Sequence, residues 1–339
     1  MKTAQILVRH AVDPKAFREE ILPASVPVVL KDLVQDWPSV RAARESPRAL
    51  VDCIRGFDRG KLIPLLEGPP AIRGRLFYRE DMAGLNFVRT PAAIGATLER
   101  LLGQADDPAP PTIFIEAMPA DAFLPDFAAV HPMPLVAEES RPRIWIGNAV
   151  TVQTHFDLFS NIACVVGGRR RFTLFPPDQV SNLYMGPVDF TPSGTPISMV
   201  PLHNPDLVRF PRFAEALRHA VQAELMPGDA LYIPYGWWHH VESLEPFNVL
   251  VNYWWNAAPN SDSPYSVLLY GALALRDLPA EQRNVWQAIF ERFVFTDPEE
   301  ALRHLPPEQR GLFGPPSPQR TKAVREIIAR MMAQGLSRS

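Results

Sequence analysis

Between residues 112 and 256 the chain is a succession of short runs rich in Val, Ile, Thr and aromatic residues, each bounded by Gly or Pro: TIFIEA, RIWIGNAVTVQTHFD, NIACVV, RRRFTLFPP, DALYIP and NVLVNYWW. Runs of this length and composition predict β-strands, and so many of them predict a sandwich or barrel rather than a parallel sheet. The part before residue 110 reads as mixed α and β. VPVVLKDLV (26–34) predicts a strand followed by a turn at DWP. AAIGATLERLLG (92–103) carries apolar residues at helical spacing and predicts a helix capped by Gly103, followed by the loop DDPAPPT (106–112).

The pattern changes over the last 80 residues. SPYSVLLYGALALRDL (263–278) and PAEQRNVWQAIFERFVF (279–295) predict helices, the second with Val285, Trp286, Ile289, Phe290 and Phe293 on one face. In 316–336, Val324, Ile327, Ile328 and Met331 follow the i, i+3, i+4, i+7 rule of an amphipathic helix. These large apolar faces either cover the barrel of the same chain or meet a second copy across a two-fold axis. No internal repeat or low-complexity tract interrupts the chain.

Composition narrows the class. The 339 residues are 47% hydrophobic and 21% charged, enough to build a sizeable core, and the 37 prolines are about twice the usual share. They favour short elements and long loops. A net charge of −3 argues against general nucleic-acid binding. No apolar run is long enough to span a bilayer, and the first residues lack the apolar core of a secretion signal, so a cytoplasmic protein without membrane contact is expected. Two cysteines, Cys53 and Cys164, support neither a disulfide framework nor a cysteine-ligated metal centre.

Three stretches carry candidate chemistry. In TVQTHFDLF, a strand would turn His155 and Asp157 to one face with Phe156 opposite, so the pair can share one metal ion or simply hydrogen-bond each other. In GDALYIPYGWWHHVESL (228–244), a turn through Tyr235 and Gly236 delivers His239 and His240 into a strand. Adjacent residues face opposite ways, so at most one of them joins His155 and Asp157. Two histidines and one carboxylate form the facial triad that suits non-haem Fe(II), leaving open positions for further ligands. In RRRF (169–172), Arg170 faces opposite to Arg169 and Arg171. A lone cation inside a barrel is costly unless it meets an anion, such as the far carboxylate of a dicarboxylate cosubstrate. For His10, His131, His203, His219 and His304 the expectation is a surface or hydrogen-bonded core residue.

The order and wording of HFD (155–157), FTLFPPDQ (172–179), NPDLVRFPRF (204–213), GDALYIPYGWWHHVES (228–243) and VNYWW (251–255) resemble the JmjC/cupin-like Fe(II)- and 2-oxoglutarate-dependent oxygenases. Within them the chain is most similar to the asparaginyl-hydroxylase branch and its bacterial cupin-like relatives. The resemblance implies a mainly β fold with flanking α: a double-stranded β-helix, or jelly roll, with N-terminal α/β elements and a C-terminal helical tail. It implies a catalytic domain over 1–258, with its jelly-roll core at about 112–256, and a helical region over 259–339 that forms a homodimer. It implies Fe(II) on His155, Asp157 and His239, and 2-oxoglutarate on Arg170, with Asn161, Asn252 and Trp254 beside it. Thr151 or Thr154 would supply a hydroxyl, and Phe114 stands where the branch has a tyrosine. The implied reaction is hydroxylation of a C–H bond of a protein side chain or small molecule, releasing succinate and CO2. The alternatives are a metal-binding protein without turnover and, with less support from the sequence, a lysine demethylase.

Overall fold

The structure, a computed structural model, describes residues 3–192, 194–257 and 262–336. The chain forms two compact units, Met1–Pro259 and Asn260–Ser339. The expected domain boundary between 258 and 259 lies outside the described residues.

The first unit is a double-stranded β-helix made of two facing sheets. The six-stranded sheet runs in the order Ala4–Gln5, Val221–Leu225, Arg170–Phe175, Trp238–Ser243, Thr151–His155, Arg75–Leu76. The nine-stranded sheet runs Leu7–His10, Val28–Lys31, Ala230–Ile233, Ser160–Gly167, Asn248–Trp255, Pro142–Gly147, Thr112–Pro119, Leu62–Gly68, Val88–Ala93. Pairing is antiparallel except where the short strands Ala4–Gln5, Leu7–His10 and Arg75–Leu76 add in parallel.

Strand Ser160–Gly167 explains why its sequence is apolar throughout. Successive side chains alternate faces, and both faces are covered. Ala163 and Val165 meet Phe172, Leu174, Ile233, Val241 and Leu250 between the sheets. Ile162, Cys164 and Val166 pack on the other side with Val40, Leu50, Val51 and Ile54, which belong to the helices Pro38–Glu45 and Pro47–Arg55. Those helices start on Pro, and the Ser46 hydroxyl accepts from Ala49 N at 3.1 Å to cap the second. The expected strand within 26–34 is Val28–Lys31, and the helix within 92–103 is Ile94–Gly103. Gly103 is the last helical residue rather than the cap. Gln104 takes that place without entering the left-handed region, so glycine's freedom is not required there.

Two turns do require it. Gly236 has φ +77° in the turn before Trp238–Ser243, and Gly168 has φ +73° in the turn before Arg170–Phe175. A Cβ at Gly168 would lie 2.3 Å from Asn248 Oδ1. Both glycines set the point at which a site strand begins.

The second unit is helical: Pro264–Leu275, Ala280–Phe290 continuing through Glu291–Phe295, Pro298–Ala301 and Pro318–Leu336. Arg292 donates to the carbonyls of Glu300 and Ala301, Arg310 pairs with Glu299 at 2.6 Å, and Arg325 pairs with Asp262 at 2.8 Å. Pro264–Leu275 buries none of its residues. No helix among the described residues is long and apolar enough to cross a membrane.

Candidate metal centre and cosubstrate cavity

Strand ends, rather than strand interiors, assemble the first cluster. His155 is the last residue of Thr151–His155, and His239 lies opposite it on the neighbouring strand. Asp157 sits two residues past the strand end, so it does not reach the face of His155 by strand alternation. Its backbone carbonyl accepts from Gly236 N at 3.2 Å, which ties its loop to the turn that delivers His239. Phe156 turns away and packs at 4.7 Å from the Trp238 ring. His155 Nε2 is 4.0 Å from Asp157 Oδ1, and His239 Nε2 is 3.7 Å from Asp157 Oδ2. His155, Asp157 and His239 thus bring one donor atom each within 4.8 Å of one another.

The other nitrogen of each ring is already held. His155 Nδ1 is 2.8 Å from the Gln153 carbonyl, and His239 Nδ1 is 3.0 Å from the Trp237 carbonyl. A carbonyl only accepts, so each Nδ1 carries the hydrogen, and Nε2 is the atom each ring has left to offer as a ligand. This is the outer-shell arrangement that orients metal-binding imidazoles. Burial pushes His239 down to about 4, which keeps the ring neutral at physiological pH.

The cluster opens into a cavity of about 220 Å³ between the sheets. Its lining includes Asn161, Arg170, Asn252 and Trp254 as well as the three clustered residues. Strand pairing sets Arg170 between Leu225 and Ser243, facing inward, while Arg169 and Arg171 face outward onto Glu224, Glu242 and Glu245. Arg170 is 2% exposed, and its Nε and Nη2 have no hydrogen-bond partner among the described residues. Burial lowers it to about 9. It is the inward-facing cation that the spacing of RRRF predicts, without a carboxylate partner among the described residues. Asn252 Nδ2 donates to Asn161 Oδ1 at 2.9 Å, which leaves Asn252 Oδ1 unpaired. Trp254 stacks on Phe159, lies under the Arg143 guanidinium, and has an unpaired indole N–H. Buried polar atoms are ordinarily paired, and here three residues, Arg170, Asn252 and Trp254, carry atoms without a partner among the described residues at one small cavity.

The expected threonine hydroxyl is absent from the lining. The pairing of Thr151–His155 with Trp238–Ser243 slips by one residue between His239 and Val241. This β-bulge turns both Gln153 and Thr154 away from the cavity. Thr154 Oγ1 lies 3.2 Å from His240 Nδ1, and Gln153 Nε2 donates to the Ser198 and Val200 carbonyls. Thr195 lines the cavity instead. Phe114 does not line it either. It packs in an adjoining apolar cluster with Leu66, Leu76, Phe87 and Val150.

From the strand of Phe114, Glu116 and Ala117 reach the cavity. Glu116 pairs with Arg89 at 3.2 Å, and burial raises its carboxyl. Glu116 belongs to none of the motifs, although an acid inside the apolar run TIFIEA is itself a signal. As expected, His131 is a core residue stacked on Phe127 and bonded to its carbonyl, His10, His219 and His304 are exposed, and His240 faces away from the cavity. His203 is the surface residue expected, and it also meets a strand neighbour. Its Nε2 lies 2.7 Å from Glu242 Oε1, and His203, His240 and Glu242 form a second group of close donor atoms.

The profile of the cupin-like domain family matches residues 14–261, a span that contains every cavity residue named above. Among curated proteins, the chain is similar to HSPB1-associated protein 1 of Rattus norvegicus, 28% identical over 272 residues, covering 71% of this chain and 51% of that protein. It is similar to lysine-specific demethylase JMJ31 of Arabidopsis thaliana, 38% identical over 121 residues, 35% of this chain and 22% of that one. It is also similar to tRNA wybutosine-synthesizing protein 5 of Gallus gallus, 34% identical over 167 residues, 44% and 48% of the two chains. The matches therefore span about half or less of these relatives' length.

Proposed function

The chain belongs to the cupin-like domain family, and on that premise we propose that it is an Fe(II)- and 2-oxoglutarate-dependent oxygenase that hydroxylates a C–H bond of a protein side chain or small molecule. The observation that carries this reading is one cavity with the His155, Asp157 and His239 donors at one part of its wall and the unpaired Arg170 guanidinium at another. Two imidazoles and a carboxylate suit Fe(II) and leave coordination positions free. When bound, the iron with 2-oxoglutarate supplies the oxidising power for C–H hydroxylation, with succinate and CO2 as co-products.

The protein's part is positioning and exclusion. Arg170 takes the far carboxylate of 2-oxoglutarate in a charge-assisted bond, strengthened by its burial. Asn161 and Asn252 offer amide groups to the same molecule, and Trp254 offers a ring face and an N–H. Val152, Phe172, Ile233, Val241 and Leu250 give the cavity an apolar wall that keeps bulk water from the reacting centre.

Likeness to the asparaginyl-hydroxylase branch rests on the quoted motifs and puts a protein side chain among the candidates. The relatives' names add methylated lysine and tRNA to the candidates. The apolar helices of the second unit support a homodimer through that unit, and a cytoplasmic setting suits an Fe(II) centre in a chain without a disulfide framework.

The decisive experiment measures succinate formed from 2-oxoglutarate with Fe(II) and ascorbate, in the presence of peptides, methyl-lysine peptides, tRNA and metabolites. Substrate-stimulated succinate that Asp157→Ala abolishes is the expected result. Metal binding without succinate under any of these conditions would replace the proposal with a non-catalytic metal-binding protein.

A further inference from the structure

Strand Trp238–Ser243 has ligand-type residues on both of its faces. His239 and Val241 face the cavity, while His240 and Glu242 face away and are not part of its lining. His203, from the chain beyond Val200, comes down onto that outer face. His203, His240 and Glu242 each offer a donor atom, and the three atoms lie within 4.8 Å of one another.

We propose that these three residues form a second metal site, for a divalent ion of the zinc class, which clamps the chain around His203 to the outer face of the strand that carries His239. Two independent features support it. His203 Nε2 and Glu242 Oε1 already stand 2.7 Å apart. His240 is 2% exposed, its Nδ1 is held by Thr154 Oγ1 at 3.2 Å, and its Nε2 has no partner among the described residues. When Nδ1 donates to Thr154, Nε2 carries a lone pair buried without a donor, a state that polar atoms in folded proteins ordinarily avoid. A metal ion removes that deficit, and Thr154 then serves as the outer-shell partner that fixes the ring.

The donor set, the same two imidazoles and one carboxylate as in the cavity, admits nitrogen-binding transition metals, zinc among them. Two imidazoles and one carboxylate are the three protein ligands of many open zinc sites. Ca2+ and Mg2+ prefer oxygen throughout and are disfavoured. The surroundings limit the affinity. Arg171 Nη1 is 3.8 Å from Glu242 Oε1, although its Nη2 is also drawn to Glu224 at 3.4 Å, and Arg75 acts on His240 with the same repulsive sign. Removing the Arg171 charge should therefore tighten the site.

The test titrates tag-free, metal-stripped full-length protein with Zn2+ by calorimetry, and with Co2+ by visible absorption. A His155→Ala/Asp157→Ala variant removes the cavity cluster and should keep one ion per chain. Adding His203→Ala to it should remove that ion. His203 is largely exposed at the surface, so its replacement should leave the fold intact. Arg171→Ala in the first background should bind Zn2+ several-fold more tightly. Zinc should also slow hydrogen exchange around residue 203 in that background. A cavity-deficient variant that binds no Zn2+, or binding that persists undiminished after His203→Ala, would overturn the proposal. Neither outcome touches the oxygenase reading, which depends on the other face of the strand.

Discussion

The two units of the chain depart from the usual division of polar outside and apolar inside in opposite directions. In Met1–Pro259 polar atoms of Arg170, Asn252 and Trp254 are buried without partners among the described residues. In Asn260–Ser339 Val267, Leu268, Leu269 and Leu273 are exposed on one helix, Leu273 at 79%. An unpaired buried charge costs several kcal/mol, and each exposed Leu forgoes about 1.5–3 kcal/mol of burial. On the proposed reading, a small charged molecule in the cavity would meet the first kind of deficit, and an apolar surface of matching size the second. The comparison sets the cavity proposed to bind a ligand against the helices proposed to mediate assembly, by the sign of what each lacks.

Breaking the cavity side of the comparison should have the largest effect. Asp157→Ala and His239→Ala should each reduce 2-oxoglutarate turnover to background in the succinate assay, while His240→Ala should retain it. Full activity in His239→Ala would show that the cavity cluster is not the reacting centre. Next in size, Arg170→Ala should raise the half-saturating 2-oxoglutarate concentration by on the order of 10- to 100-fold, the loss of one charge-assisted bond. Metal affinity should stay the same, and Arg170→Lys should recover part of the effect. An unchanged concentration dependence would mean that another cation holds the cosubstrate.

On the assembly side, light scattering should report a dimer at micromolar concentration. Leu268→Glu/Leu273→Glu should shift it to monomer without loss of the barrel's circular-dichroism signal. A wild-type chain that elutes as a monomer would remove the need for a partner on these helices.

The smallest expected effect is on pH dependence. Burial lowers His239 to about 4 and His240 to about 3, from an ordinary value of 6.5. Between these values and 6.5 the unfolded chain binds more protons than the folded one. The stability of the metal-free protein is therefore fully present above pH 6.5 and is lost as pH falls towards 4. The Tm should drop over that window by several degrees, and His240→Asn should flatten the slope. A Tm flat from pH 7 to 4.5 would contradict the buried, neutral state of both rings.

Much of the site was legible in the primary structure because strand geometry repeats every two residues. That period separated Arg170 from Arg169 and Arg171, and His239 from His240. The 3.6-residue period likewise located helices at Pro264–Leu275 and Pro318–Leu336. Four features lay beyond its reach. The bulge opposite His240 sends Gln153 and Thr154 to the same face, so alternation fails there. Asp157 converges from outside its strand, through the bond of its carbonyl to Gly236. Glu116 reaches the cavity from a distant strand, and His203 meets Glu242 across 39 residues of sequence.

By itself, the amino-acid sequence determined which residues share a face within an element, and hence the class of fold and the candidates for chemistry. Those are local consequences of backbone geometry and turn residues. Only the tertiary structure decided which faces meet: that His155, Asp157 and His239 close on one point, that Arg170 is buried without a carboxylate, and that His203 lies against His240 and Glu242. Such meetings depend on how distant strands register and pack, and no local period encodes that.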